Sequence, residues 1–148
     1  MELYIWAWLA IGLAWLWVWI WEGIVAKKSL EIMGKNPDLT SSFLVLTILW
    51  IALTESAAIY WLIIALQITW LDPATFNSAQ AIWAWLAVGA AWAWSWLWEW
   101  LLVAWAMEAI FRNPAMKGKV MTFMILFLAL VESSAIYGLV IALSLLGW

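Results

Sequence analysis

Apolar residues run along the chain in four long stretches, residues 3–26, 43–71, 81–106 and 120–148, and the third is interrupted only by Glu99. A hydrocarbon core about 30 Å thick needs roughly 20 apolar residues in helical form, so each stretch predicts one transmembrane helix. Three short polar breaks separate them, at residues 35–38, 72–78 and 112–114. Each break carries a proline, Pro37, Pro73 or Pro114, and the residue before a proline is pushed out of helical geometry. Short connections make consecutive helices antiparallel neighbours. The predicted fold is an all-α membrane protein: two tandem antiparallel helical hairpins, residues 1–71 and 79–148, joined by a linker at 72–78.

Composition supports this. Of 148 residues, 70% are hydrophobic and 10% charged, against about a quarter charged in soluble proteins. Eighteen are Trp. A soluble domain of this size leaves much of its chain exposed and cannot hide so much apolar surface, so lipid is the expected solvent. The net charge of −3 argues against nucleic acid as a partner, because that partner needs a basic face. The chain has no Cys and no His. Disulfides, thiolate chemistry, imidazole metal sites and histidine-dependent catalysis are therefore excluded, and no cofactor is implied. All six cations lie around the first and third breaks: Lys27, Lys28 and Lys35, then Arg112, Lys117 and Lys119. The positive-inside rule predicts an integral protein of a bacterial-type inner membrane. Both basic loops would be cytoplasmic, with the termini and the Asp72 linker on the opposite side. The start Met-Glu-Leu has no basic region, so the first helix is expected to act as an uncleaved insertion signal.

Sliding the chain against itself by 77 residues superimposes its landmarks, the mark of an internal repeat. Trp6, Trp8, Trp15, Trp17, Trp19 and Trp21 fall on Trp83, Trp85, Trp92, Trp94, Trp96 and Trp98. Glu22 falls on Glu99, Asn36-Pro37 on Asn113-Pro114, Glu55-Ser56 on Glu132-Ser133, and Tyr60 on Tyr137. The agreement spans both hairpins.

Four carboxylates lie inside the apolar stretches: Glu22, Glu55, Glu99 and Glu132. An ionisable group at membrane depth is costly and by default marks an ion or proton path. With the first hairpin turning near residues 38–39, Glu22 and Glu55 each lie about 16 residues from the apex, roughly 24 Å along either helix. The two acids can therefore sit at one level. Side by side in a low dielectric they cannot both stay ionised and would hold one proton between them. Such a pair suits a single monovalent cation. Ser56 and Ser133 add a hydroxyl beside the second acid, and Tyr60 and Tyr137, five residues on, can donate to it. An all-oxygen setting suits a hard cation, which favours Na⁺ over a bare H⁺.

Lys27-Lys28-Ser29-Leu30-Glu31, the Lys35-Asn36-Pro37-Asp38 turn and Leu53-Thr54-Glu55-Ser56-Ala57-Ala58-Ile59-Tyr60 resemble the c-type proteolipid that forms the rotor ring of rotary ATP synthases. The second hairpin repeats the pattern with Arg112-Asn113-Pro114 and the segment from Val131-Glu132-Ser133 to Tyr137. The resemblance implies an oligomeric ring turning against a stator a-type subunit, with central-stalk subunits as further partners and catalysis left to other subunits. It makes Glu55 and Glu132 the ion-carrying carboxylates, which would ligate Na⁺ in a sodium-type member. Glu22, Glu99, Ser56, Ser133, Tyr60 and Tyr137 match sodium-type positions. Lys35, Asn36, Pro37, Arg112, Asn113 and Pro114 match the stalk-facing loop. A double hairpin also resembles V-type proteolipids, and one ion site per hairpin is expected.

The departure from that family is the tryptophan. On a helical wheel Trp8, Trp15 and Trp19 fall within about 40° of one another, with Trp6, Trp17 and Trp21 about 180° away. Trp85, Trp92 and Trp96 oppose Trp83, Trp94 and Trp98 in the same manner. Two opposed stripes suit a helix flanked by like neighbours, as in a ring. Indoles where the family keeps Gly or Ala predict an inner circle of larger circumference. The competing reading is a standalone or engineered structural ring or pore without coupled transport.

Overall fold

The computed structural model describes residues 2–148, with the side chains of residues 2, 3, 54 and 57 set aside. Met1, the first residue of the first predicted hairpin, lies outside the described residues. Four long helices follow one another: α1 (Glu2–Lys35), α2 (Thr40–Trp70), α3 (Ser78–Arg112) and α4 (Lys117–Leu145). Each is long and apolar enough to cross a membrane. Single 3₁₀ turns, Pro37–Leu39 and Pro114–Met116, make the two tight connections. The chain is thus two helical hairpins in tandem, α1–α2 and α3–α4, packed most closely within each hairpin.

Two of the four helices run further than the hydropathy pattern implies. α1 continues through Lys27 and Lys28 to Lys35, and α3 continues to Arg112. At 1.5 Å per residue each is about 50 Å long, well beyond a hydrocarbon core of about 30 Å. The apolar stretch marks the lipid-embedded part, whereas Asn and Pro set the helix end. Asn36 stops α1 in an extended conformation and caps the following turn by accepting a hydrogen bond from Asp38 N at 3.2 Å. Asn77 starts α3 by accepting from Ala79 N at 2.9 Å. Such caps satisfy amides that a helix end leaves unpaired.

The hairpins are clasped differently near their basic turns. In the first, Ser29 Oγ is buried and lies 3.3 Å from Phe43 O, and Thr47 Oγ1 is 2.7 Å from both Ser29 Oγ and Phe43 O. In the second, the equivalent positions are Ala106 and Met124, both buried in an apolar cluster. Across the hairpins Lys28 Nζ reaches Glu108 Oε2 at 3.7 Å, while within α3 Arg112 Nε donates to Glu108 Oε1 at 3.0 Å.

The tryptophan stripes divide between the boundary inside the chain and its free edges. α1 turns Trp21 onto Trp96 and Trp100 of α3, with ring centres 5.1 and 5.0 Å apart. Trp92 and Trp96 stack at 5.2 Å and 18°. The remaining stripes, Trp8, Trp15 and Trp19 on α1 and Trp83, Trp94 and Trp98 on α3, are exposed on the outer edges of the pair. The boundary inside the chain therefore takes up Trp21 of α1 and the Trp85, Trp92 and Trp96 stripe of α3, while Trp17 stays half exposed beside it.

Candidate ion-binding site

All four intramembrane acids sit in the middle parts of continuous helices, where regular 3.6-residue geometry fixes their facing. Glu99 on α3 is 2% exposed, Glu22 and Glu132 are half-buried, and Glu55 is exposed. Glu22 lies near enough to Glu55 for their charges to interact. Glu99 and Glu132 are likewise neighbours whose carboxyl groups interact.

The hydroxyls are placed differently from the sequence expectation. That expectation puts Ser56 and Tyr60 beside Glu55 in their own hairpin. Instead Ser56 Oγ lies 3.2 Å from Glu132 Oε1, and Tyr60 turns its hydroxyl towards Glu132 and Ser56. The reason is helical geometry. Successive residues on a helix diverge by 100°, so Ser56 points away from Glu55 and across the groove to the next hairpin. Ser56 Oγ is also 2.6 Å from Leu53 O, which brings a backbone carbonyl to the same place. The complete cluster is thus Glu99 and Glu132 from the second hairpin with Ser56, Tyr60 and the Leu53 carbonyl from the first.

Two oxygens in this cluster, Glu99 Oε1 and Glu132 Oε2, are buried with no hydrogen-bond partner, as is Glu22 Oε1. Buried carboxylate oxygens are stable only when protonated, hydrogen-bonded or bound to a cation. The donor set is all oxygen, the preference of hard cations. Among the described residues no group of three or more His, Cys, Asp or Glu gathers at one point.

Among the described residues Ser133 and Tyr137, the counterparts of Ser56 and Tyr60, meet no acid. Tyr137 is 67% exposed on the outer edge of α4, and Ser133 Oγ donates only to Leu130 O at 2.6 Å. Among the described residues, then, the acids of the second hairpin meet hydroxyls of the first, whereas Ser133 and Tyr137 lie on the other edge, apart from Glu22 and Glu55. Lys35, Asn36 and Pro37 lie with Arg112, Asn113 and Pro114 at the two tight turns, at one end of the bundle.

Sequence reasoning passed over Trp61 and Trp100. Trp61 on α2 lies edge-on to Trp85 and Trp92 of α3, at 5.6 and 6.2 Å. Its indole is seated on Gly89, where an added Cβ would come within 2.9 Å of Trp61 Cη2. The signal was available as a mismatch in the repeat, since Trp61 and Trp100 correspond to Gly138 and Gly23.

Comparison with known proteins bears on the architecture directly. The family model for the ATP synthase c-type proteolipid matches twice, over residues 5–68 and 82–145, once for each hairpin. The chloroplastic ATP synthase c-type proteolipid of Porphyra purpurea is 44% identical over 70 residues, covering 47% of this chain and 85% of that protein. That of Cyanidium caldarium is 42% identical over 76 residues, covering 51% and 92%. The corresponding ATP synthase proteolipid of Clostridium beijerinckii is 57% identical over 42 residues, covering 28% and 59%. Two family matches in series, on two hairpins that each present a mid-helix glutamate, mean that this chain belongs to the ATP synthase c-type proteolipid family as a tandem double-hairpin member.

Proposed function

We propose that the chain is a rotor-ring subunit that carries Na⁺ or H⁺ across the membrane on Glu55 and Glu132, and that it does no bond chemistry itself. The observation that carries this reading is the cluster of Glu132, Glu99, Ser56 and Tyr60 drawn from two hairpins, midway along their helices. Copies join head to tail, a heterologous contact that closes into a ring. The acids Glu22 and Glu55 of one copy then meet Ser133 and Tyr137 of the next, and every boundary holds one site. Ser hydroxyls, a carbonyl and paired acids favour Na⁺.

The site is neutral when occupied and passes through lipid in that form, because a bare carboxylate facing hydrocarbon is costly. It opens and exchanges its ion against a stator a-type subunit. The basic turns, with Lys35 and Arg112, face the cytoplasm and the central stalk, and the termini and the Asp72 linker face the other side. The indoles on the inner helices widen the inner circle relative to members with Gly or Ala there.

The test is the double substitution E55Q/E132Q in the assembled complex. The account expects the ring to form and ion-driven turnover to vanish. Turnover that persists would refute the carrier role, and the chain would then be a structural ring.

A further inference from the structure

The repeat is broken at two places that bear on how chains meet. Trp61 corresponds to Gly138, and Trp100 to Gly23. Both indoles lie at the boundary between the two hairpins of one chain. Trp61 reaches from α2 to Gly89, Trp85 and Trp92 of α3, and Trp100 receives Trp21 from α1. When copies join head to tail, α4 of one copy takes the place of α2, and α1 of the next takes the place of α3. The residue that then replaces Trp61 is Gly138, aimed at Gly12. The residue that replaces Trp100 is Gly23, aimed at Trp98. Gly12 and Gly23 both have open space where a Cβ would stand, as residues on a free edge should.

Gly138 is not an interchangeable position. A Cβ there would lie 2.8 Å from Ala87 O and collide with Ala91 Cβ, so α4 sits against α3 more tightly than any side chain permits. The first hairpin has Ala10 and Ala14 at the matching places but carries Trp61 opposite them. The Trp61 indole of α2 lies in the groove towards the second hairpin, on Gly89 and edge-on to Trp85 and Trp92. Beside it a cavity of about 470 Å³, lined by Leu13, Trp17, Trp61, Leu86, Gly89 and Trp96 among others, separates α1 from α3. The internal boundary therefore holds two indoles, Trp61 and Trp100, whose counterparts in the repeat are Gly138 and Gly23.

The geometry points to a ring with two alternating kinds of boundary: a wide one inside each chain, wedged by Trp61 and Trp100, and a narrow one between copies, where Gly138 and Gly23 stand in their places. This inference rests on the head-to-tail ring proposed above. Its consequence is that the ring has the symmetry of its chain number, half its hairpin number. The two ion sites of each chain then have unequal surroundings, because Trp100 adjoins Glu99 and Gly23 adjoins Glu22.

Electron cryomicroscopy of the purified ring tests it, with the chain unaltered and with Trp61→Gly. In the unaltered ring the α1–α3 spacing inside a chain should exceed the spacing from α3 to the next copy's α1. The difference should be on the order of 1–2 Å, the range that side-chain size sets for packed helices. In the variant the two spacings should converge. Evenly spaced inner helices in the unaltered ring would overturn the inference while leaving the ring intact. A folded chain that forms no ring would instead overturn the functional reading on which it rests.

Discussion

The two hairpins are copies in plan and differ in what they keep for themselves. The second contributes both acids of the assembled cluster and takes its hydroxyls from the first. The first holds a matching acid pair, Glu22 and Glu55, but Glu55 is exposed on the free edge. The difference teaches that the cluster of acids and hydroxyls belongs to a boundary between hairpins; under the proposed function one chain alone would complete one of its two sites.

The largest expected effect breaks that comparison outright. In solubilised single chains, a carboxyl-directed carbodiimide should label Glu55 rapidly whether or not Na⁺ is present, and Na⁺ should protect only Glu132. Once the ring is assembled Na⁺ should protect Glu55 as well as Glu132, and peptide mass spectrometry reads the change. Protection of both acids in isolated chains would mean that each hairpin makes its own site.

Next in size is Trp61→Ala, which removes a buried indole from the internal boundary and should cost about 3–5 kcal/mol, seen as early unfolding of the detergent-solubilised protein. Gly138→Ala forces a methyl group against Ala91 and should cost about 1–3 kcal/mol. The mirrored change Gly12→Ala, with open space around it, should leave the single chain unaffected. Smaller again is Thr47→Val. It deletes the hydroxyl that joins Ser29 and Phe43 and should cost about 1 kcal/mol. Met124→Leu at the matching place should change little. Lys28→Ala breaks an ion pair that is largely exposed, so it should move stability by less than about 1 kcal/mol and by nothing at high salt.

The four helices and their tandem arrangement were legible because they depend on distance along the chain. Apolar length gives a span, and a 77-residue offset gives the repeat. Lateral neighbours are another matter. Nothing in the spacing of Glu55, Ser56 and Tyr60 says which hairpin lies across the groove, so the expected partner of these hydroxyls is the wrong acid. The helix ends differ from the hydropathy pattern where Lys27 and Lys28 interrupt hydropathy without interrupting the backbone. Lysine is a good helix former and its long stem reaches water. Trp61 and Trp100 are hidden in a repeat read by its matches, and at a boundary between repeats it is the mismatches that distinguish one side from the other.

The most direct measurement is the rate of carbodiimide labelling at Glu132 in the purified ring as Na⁺ and pH are varied independently. The account predicts a rate that falls as Na⁺ rises, or, if the ion is H⁺, a rate that falls only as pH rises through the titration of the site. A rate indifferent to both would mean that this buried acid holds no exchangeable cation.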